Sequence, residues 1–279
     1  MPTQSTQIFL GSTPIPLYYL GDTQMGINPA SVTTIPTAGL VYLFDATNVA
    51  SYPTSGSIWY DLSPNKTWAS TFSSSVFPTF NSTEKSFIFN GSNTALVSPL
   101  SSSIATASKI SDFTQIAWVK LVQNGQTGSE NGFTNLQSSS VLLGGTPEFD
   151  SITFNSNTNV WRLSSALGAR NVTSAVTETV FNDYLMIAAT RTSGVNNFKL
   201  LRNGANVIAT GSYSPITYLQ SAIISPLSVF GNRFWNGDNA KFSDGWITGS
   251  LSAVILYNRV LSDAEINQIY EVGRSGIVI

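Results

Sequence analysis

The sequence predicts an all-β fold, a two-sheet antiparallel jelly-roll sandwich with one short C-terminal helix and an extended N-terminal arm. Most of the chain consists of short apolar segments of strand length separated by polar turns. A single segment near the end has the spacing and capping residues of an amphipathic helix. Prolines are spread through the first 37 residues, and prolines favour arms and edge strands over central strands.

The N-terminal arm carries a short repeat. Segments 9–15 and 19–25 share an aromatic residue, Leu, Gly, a small polar residue and Thr, and each closes on an apolar residue. Neither copy has a partner in the predicted sandwich, so its backbone must pair elsewhere or with the other copy. We therefore expect residues 1–37 to serve attachment or oligomerisation, and residues 38–279 to form the jelly roll. The expected contact residues of the arm are Phe9, Leu10, Leu17, Tyr19 and Leu20.

The strands of the jelly roll are predicted from β-branched and aromatic residues bounded by turn residues. Asn203 and Gly204, between two apolar segments, are a strong hairpin signal. Residues 113–120 alternate as a strand with one buried face does. Trp118 and Trp161 lie on strand-like segments and are expected in the core. The predicted strands are 40–44, 86–89, 113–120, 184–190, 198–202, 207–209 and 251–257.

The predicted helix covers residues 261–270. Ser262 and Glu265 have the spacing of a capping box, in which each side chain bonds the backbone N–H of the other residue. Gly273 is a plausible stop. Leu261 and Ile266 occupy the positions of a hydrophobic staple, and the expected packing face consists of Ile266, Ile269 and Tyr270.

The composition excludes several classes of function. Charged residues make up 10% of the chain, against roughly 25% in an average soluble domain, and the net charge is −2. We therefore expect no nucleic-acid partner. The first twenty residues lack the features of a signal peptide, and no apolar stretch has the length of a membrane span, so we expect no membrane insertion. The few charged residues predict an uncharged polar surface, which suits a protein exposed outside the cell. Without a signal peptide, such a protein would need another route to the outside, such as assembly into a particle that is released by lysis.

The chain contains neither cysteine nor histidine. Disulfides, thiolate metal sites and Ser-His-Asp hydrolysis are therefore impossible, and the commonest zinc ligand is missing. We expect no cofactor.

Several segments together resemble the LamG-like, concanavalin-A-like jelly roll. They are 39–45, 59–63 with the motif W-Y-D-L-S, 87–93, 113–119 and 249–266, which contains Y-N-R-V-L-S-D-A-E-I. The resemblance implies two face-to-face antiparallel sheets with ligand sites on loops or on the concave sheet. The family includes glycan-binding modules, and versions with the Y-N-R ending are common in tailed-phage virion proteins. The L-G-x-T repeats of the arm also resemble segments of phage tail and adhesin proteins.

Catalysis on this scaffold would need paired carboxylates. Related glucanases carry E-x-D-x-E on one strand, and the closest local match is Glu148-Phe149-Asp150, with Ile152 at the third acidic position. We expect Glu148 and Asp150 to lie at a solvated strand edge or on a loop, and we expect the chain not to be an enzyme. Their presence on an open loop would remove the glycoside hydrolase alternative.

The candidate binding residues lie in turns and in one long loop. A glycan would contact exposed aromatic rings beside amide and carboxylate side chains, and the loop 234–246 offers both, although its tryptophans could instead close the end of the sandwich. The glycan candidates are Trp235, Asn236, Asp238, Asn239 and Trp246. The resemblance also implies calcium as a possible ligand, bound through hard oxygen atoms. The calcium candidates are Asp61, Asn90 and Asn93, whose alternative role is to stabilise turns.

These observations lead to the hypothesis of a non-catalytic bacteriophage virion protein, associated with the tail or baseplate, whose jelly roll contacts host-surface polysaccharide. The arm would bind other virion proteins or sister chains, with a trimer as the first expectation. A capsid decoration or head-fibre protein is the first alternative. A glycan-binding module or glycoside hydrolase of a cell-surface protein is the second.

Overall fold

The fold is described from a computed structural model for part of the chain. The described residues are 8–10, 13–15, 17–20, 23–27, 34–71, 75–99, 112–122, 131–138, 148–165, 170–192, 197–212, 227–231, 235–236, 241–242, 246–273 and 277. Within them, no helix is long and apolar enough to span a membrane.

Among the described residues, the elements are short strands followed by one helix near the C-terminal end. In chain order they are β1 (Ile8–Leu10), β2 (Thr13–Ile15), β3 (Leu17–Leu20), β4 (Thr23–Ile27), β5 (Leu40–Asp45), β6 (Trp59–Tyr60), β7 (Trp68–Ala69), β8 (Thr79–Asn81), β9 (Ser86–Asn90), β10 (Leu96–Pro99), β11 (Phe113–Leu121), β12 (Asn131–Ser138), β13 (Glu148–Asn155), β14 (Val160–Ser165), β15 (Arg170–Thr177), β16 (Tyr184–Thr192), β17 (Asn197–Arg202), β18 (Asn206–Ser212), β19 (Leu227–Phe230), β20 (Trp235–Asn236), β21 (Lys241–Phe242), β22 (Thr248–Tyr257) and α1 (Asp263–Val272).

Two antiparallel sheets form the sandwich, which confirms the predicted fold class. One sheet has the order β18-β17-β16-β11-β22-β9-β8, with β5 also pairing β22. The other has the order β10-β19-β12-β13-β14-β15. Asn203 and Gly204 form the predicted turn between β17 and β18, and both have positive φ.

The central strands of the larger sheet are buried on both faces. On β11, Ala117 and Val119 face the core between the sheets, whereas Ile116 and Trp118 belong to a second cluster on the opposite face. The prediction of one buried face for residues 113–120 is therefore wrong. The reason is that α1 covers the outer face of this sheet, so both sets of alternating side chains are removed from water. Trp118 and Trp161 are buried, as predicted.

The helix is capped as the sequence predicts. The Ser262 side chain accepts from the Glu265 backbone N–H, and the Glu265 carboxylate accepts from the Ser262 backbone N–H. Ile266 and Ile269 are fully buried. Tyr270 is 38% exposed, so its assignment to the packing face is wrong. Its ring lies beside the turn at Gly204, at the margin of the contact between helix and sheet.

The C-terminal segment holds residues 34–40 against the sandwich. The Tyr257 hydroxyl donates to the Pro36 carbonyl at 2.8 Å, and Arg259 Nε donates to the Ala38 carbonyl at 2.7 Å. The Arg259 guanidinium also pairs with Glu265 and lowers the pKa of that carboxyl to about 2. The most specific part of the family-like sequence is therefore structural, since its Tyr, Arg and Glu join the two ends of the described sandwich.

One buried carboxylate ties the two sheets together. Glu178, just after β15, accepts from Trp161 Nε1 at 3.1 Å and from Arg202 Nε and Nη2 at 2.9 and 3.0 Å. Arg202 is the last residue of β17 in the opposite sheet. Burial would raise the pKa of Glu178, but the hydrogen bonds from Arg202, the Val180 backbone and Trp161, with the Arg202 charge, lower it below its usual value.

The two repeats of the arm form separate hairpins. The first repeat contributes β1 and β2, and the second contributes β3 and β4, each pair being antiparallel. The predicted contact residues of the arm lie on the first strand of each hairpin: Phe9 and Leu10 on β1, and Leu17, Tyr19 and Leu20 on β3. The repeat therefore corresponds to a structural unit, and its role in attachment stays a prediction.

Candidate functional site

An exposed aromatic pair lies on the two-stranded ribbon formed by β6 and β7. Tyr60 is directly opposite Trp68, and Trp59 is opposite Ala69. Tyr60 and Trp68 are 44% and 47% exposed, whereas Trp59 and Ala69 are fully buried. Side chains directly opposite one another share a face, with Cβ atoms about 5 Å apart. Tyr60 and Trp68 therefore lie opposite one another on the exposed face of the ribbon, and we call this pair the aromatic platform.

The buried face of the ribbon fixes the platform to the core. The Trp59 ring lies 5.4 Å from that of Phe44, 4.8 Å from that of Phe87 and 6.2 Å from that of Phe230. These edge-to-face and tilted contacts are favourable geometries for aromatic pairs. Since Trp59 and Tyr60 are consecutive in a strand, burying the first directs the second outward.

Asp61 organises the loop that connects the two strands of the ribbon. Its Oδ1 accepts from the backbone N–H groups of Leu43 and Ser63 at 2.9 and 2.7 Å. Its Oδ2 accepts from the Ser63 hydroxyl at 2.7 Å, the Thr67 N–H at 3.1 Å and the Thr67 hydroxyl at 3.0 Å. The residue is only 3% exposed. Oδ1 thus joins the loop to strand β5, and Oδ2 binds the two sides of the loop to each other, which holds Tyr60 and Trp68 in register.

Uncharged polar residues border the platform. Residues 53–57 precede the ribbon, and all five are exposed. The loop is held in place by Tyr52, whose hydroxyl donates to the Gly56 carbonyl at 3.0 Å, and by Ser70, whose hydroxyl donates to the Ser57 carbonyl at 2.7 Å. Burial raises the pKa of Tyr52, which therefore remains a hydrogen-bond donor. Exposed aromatic rings bordered by hydroxyl groups and backbone amides are a surface that suits a polyhydroxylated ligand.

The predicted glycan residues are described only in part. Trp235 and Asn236 form β20, which pairs with β21, and Trp246 is half-buried. Asp238 and Asn239 lie outside the described residues. The base of this insertion is closed by the Ile247 N–H, which donates to the Gly231 carbonyl at 3.1 Å. The assignment of the loop 234–246 as a glycan site stays a prediction.

The predicted calcium residues belong to two separate turns. Asn90 Oδ1 accepts from the Ser92 and Asn93 backbone N–H groups at 3.0 and 3.1 Å, and its Nδ2 donates to Asn93 Oδ1 at 2.7 Å. Asn90 and Asn93 therefore come together in one turn, while Asp61 organises the loop of the ribbon. Among the residues that the structure describes, no group of three or more His, Cys, Asp or Glu side chains could hold a metal ion.

The acidic residues considered for catalysis lie on a strand of the six-stranded sheet. Asp150 on β13 pairs with Leu136 on β12 and with Ser165 on β14, and Glu148 pairs with Ser138. The expectation of a loop is therefore wrong, and β13 is an inner strand of the sheet rather than an edge strand. The expected solvation of the two residues stays a prediction. The same strand buries Ile152 and Phe154 in the core, and this burial holds the segment within the sheet.

The fold is shared with solved structures of low sequence identity. A Trypanosoma rangeli sialidase in complex with 2,3-difluorosialic acid, a covalent intermediate, is 17% identical with a TM-score of 0.58, and the match covers 85% of this chain and 33% of that chain. A mutant of that sialidase displaying trans-sialidase activity is 17% identical with a TM-score of 0.57, over 88% and 35% of the two chains. A mutant of HCR D/C VPI 5995 is 14% identical with a TM-score of 0.53, over 83% and 51%.

This likeness establishes the fold, and the chain spans about a third of the length of the sialidases. No family model matches the sequence, and no curated protein matches it. The prediction that the chain is not an enzyme is contradicted, because chains that share its fold are sialidases. The glycoside hydrolase alternative would be removed if Glu148 and Asp150 lay on an open loop. Both lie within β13, so this alternative stays open.

Sequence reasoning missed the platform. Trp59 and Tyr60 belong to the family-like turn motif, and Trp68 belongs to none of the motifs described above. A signal was present, because consecutive aromatic residues at 59 and 60 and a third at 68 flank a turn built on Asp61, Ser63 and Thr67. A hairpin over this segment requires one of the two consecutive aromatic side chains to face outward.

Proposed function

We propose that this protein binds carbohydrate through the platform formed by Tyr60 and Trp68. The observation that carries the proposal is the exposure of these two opposed rings on a ribbon whose other face is fully buried. A pyranose ring presents an apolar C–H face and a rim of hydroxyl groups. It can therefore stack on the aromatic faces while its hydroxyls bond the neighbouring polar loops.

Rigidity supports this assignment. The platform is held by the core contacts of Trp59 and by the hydrogen bonds of Asp61, so that few degrees of freedom are lost when a ligand binds. Adjacent exposed apolar side chains, as opposed to scattered ones, mark interaction sites. The fold neighbours are in keeping with the proposal, because they include a sialidase in complex with sialic acid.

The test is a titration of the full chain with a panel of soluble oligosaccharides and polysaccharides, read by calorimetry. Trp68→Ala is expected to weaken the affinity at least tenfold, as the loss of a central aromatic contact does. Its stability should change little, because the ring is 47% exposed. The same samples are assayed for hydrolysis, so that turnover and binding are measured separately.

Tyr270→Ala provides the matched control. Tyr270 is also an exposed aromatic residue, at 38%, but it lies on α1 and not on the ribbon. It should leave the affinity unchanged. Equal affinities for the wild type and Trp68→Ala would refute the platform as the binding site.

The proposed binding needs no calcium at Asp61. All of the polar contacts given above for its carboxylate come from N–H and O–H donors of the protein, so both oxygens have hydrogen-bond partners without a metal. Affinity should therefore be the same in excess EDTA and in millimolar calcium. A loss in EDTA that calcium restores would support calcium binding instead.

We further propose that the arm attaches the sandwich to a larger assembly, such as the surface of a virion. Two features support this proposal: the two hairpins formed by the repeats, and the resemblance to phage tail proteins. Removal of residues 1–33 keeps the contacts of residues 34–40 and should convert an oligomer into a monomer by light scattering. A full chain that is monomeric at high concentration would contradict self-association.

A further inference from the structure

Lys66 supplies the exposed charge at the loop end of the platform. Within residues 51–71 the ionisable acidic and basic side chains are Asp61 and Lys66. Asp61 is buried and its two oxygens accept hydrogen bonds, whereas Lys66 is exposed. The exposed formal charge that this segment itself supplies is therefore positive.

The lysine lies on the loop that joins the two strands of the ribbon. Its ammonium donates to the Leu62 carbonyl at 2.9 Å, and its backbone N–H donates to the Ser63 carbonyl at 3.2 Å. Leu62 follows Tyr60 by two residues and Lys66 precedes Trp68 by two. Each pair of Cα atoms is therefore at most about 7 Å apart. The φ of 50° at Lys66 belongs to the tight turn that produces this arrangement.

The ammonium has unused donor capacity. An ammonium group carries three N–H donors, and the bond to Leu62 uses one of them. A ligand stacked on the platform can therefore accept from the same group that closes the loop. A carboxylate is the preferred partner, because a charge-assisted hydrogen bond is stronger than one to a neutral hydroxyl.

We propose that the platform selects glycans that carry an acidic sugar, whose carboxylate pairs with Lys66 while a neighbouring ring stacks on Tyr60 or Trp68. This inference rests on the proposed carbohydrate-binding function and adds the class of ligand. The ion pair forms at the surface, so its contribution is modest and depends on salt. The aromatic contacts supply affinity, and Lys66 supplies the preference for the acidic glycan.

The experiment compares 3′-sialyllactose with lactose, which differ by one acidic sugar, on the full chain by calorimetry. The wild type should bind 3′-sialyllactose more tightly, and rising NaCl should reduce the difference. Lys66→Gln should lower the ratio of the 3′-sialyllactose affinity to the lactose affinity about two- to fivefold. Lys85→Gln is the matched control, because Lys85 is also exposed and also has a positive φ, of 53°.

The outcomes separate the two proposals. If Trp68→Ala abolishes binding but Lys66→Gln leaves the ratio of the two affinities unchanged, the role of Lys66 is refuted and the platform stands. If the wild type does not bind 3′-sialyllactose, or prefers lactose, the inference is likewise refuted. If the wild type and Trp68→Ala bind every neutral and acidic glycan of the panel with equal affinity, both the platform and the role of Lys66 are refuted.

Discussion

Replacing Asp61 with Asn tests how the loop supports the platform. The substitution keeps the shape of the side chain but exchanges one acceptor oxygen for an amide group that donates. In the native loop, Oδ1 faces two backbone N–H groups, those of Leu43 and Ser63, and Oδ2 faces the Thr67 N–H together with two hydroxyls. The hydroxyls can rotate to accept from the new amide. The backbone N–H groups cannot, so either orientation of Asn leaves at least one donor opposed by another.

The magnitude follows from these contacts. A hydrogen bond to a charged group contributes about 1.5–3 kcal/mol, and a buried donor left without a partner costs about 1–3 kcal/mol. Since Asp61 is only 3% exposed, little water can compensate. We expect Asp61→Asn to lower the free energy of unfolding by about 3 kcal/mol. Because the loop sets the register of Tyr60 with Trp68, glycan affinity should fall as well, under conditions in which the chain is still folded.

Urea denaturation followed by tryptophan fluorescence measures the first effect, and calorimetric glycan titration measures the second. Asp183→Asn is the control, since Asp183 is exposed and its carboxylate accepts from the N–H of the adjacent residue, Tyr184. That substitution should change stability by less than about 0.5 kcal/mol. If Asp61→Asn is as stable as Asp183→Asn, the hydrogen bonds of Asp61 do not hold the loop. Rescue of its glycan affinity by calcium would point to a metal role instead.

Two further substitutions test the sandwich itself. Glu178→Gln should lower the free energy of unfolding by about 2 kcal/mol at pH 7, because it removes the charged partner of Arg202. Since the folded pKa of Glu178 is lowered, the difference from the wild type should be full above about pH 5 and should shrink as pH falls through the folded pKa. A difference that does not depend on pH would contradict the ion pair. Gly231→Ala should lower the free energy of unfolding by about 3 kcal/mol, because the φ of Gly231 is +88° and a Cβ would lie 2.2 Å from the Phe89 ring. Gly56→Ala is the control and should lower it less, since Gly56 has a positive φ but open space around it. Equal losses in the two variants would contradict the steric argument.

The sequence predicts much of the fold because its local signals agree with one another. The capping box at Ser262 and Glu265 and the turn at Asn203 and Gly204 depend on residues within a few positions, and both form as predicted. The exposure of Tyr270 and the burial of both faces of residues 113–121 depend on how α1 packs across the sheet. Local periodicity carries no information about that distant contact.

The candidate site shows the same limit. The turn motif identifies Asp61 as a candidate but does not show whether its carboxylate binds calcium or stabilises the turn. That depends on the N–H and O–H donors around the carboxylate, which come from β5 and from the loop. The exposure of Tyr60 and Trp68 follows from the burial of Trp59 against Phe44 and Phe87, which come from other strands. Glu148 and Asp150 are predicted at a solvated strand edge or on a loop because acidic side chains are seldom buried. Pairing with β12 and β14, which local sequence does not reveal, makes β13 an inner strand of the sheet.

A single NMR titration distinguishes the platform from the alternative glycan loop. The chain contains six tryptophans, each with one indole N–H resonance, and Trp68→Phe assigns the resonance of the platform. On titration with a bound oligosaccharide, the Trp68 resonance should shift most, while those of the buried Trp59, Trp118 and Trp161 stay nearly constant. A shift confined to Trp235 or Trp246, with Trp68 unchanged, would show that the glycan binds elsewhere and that the platform is not the site.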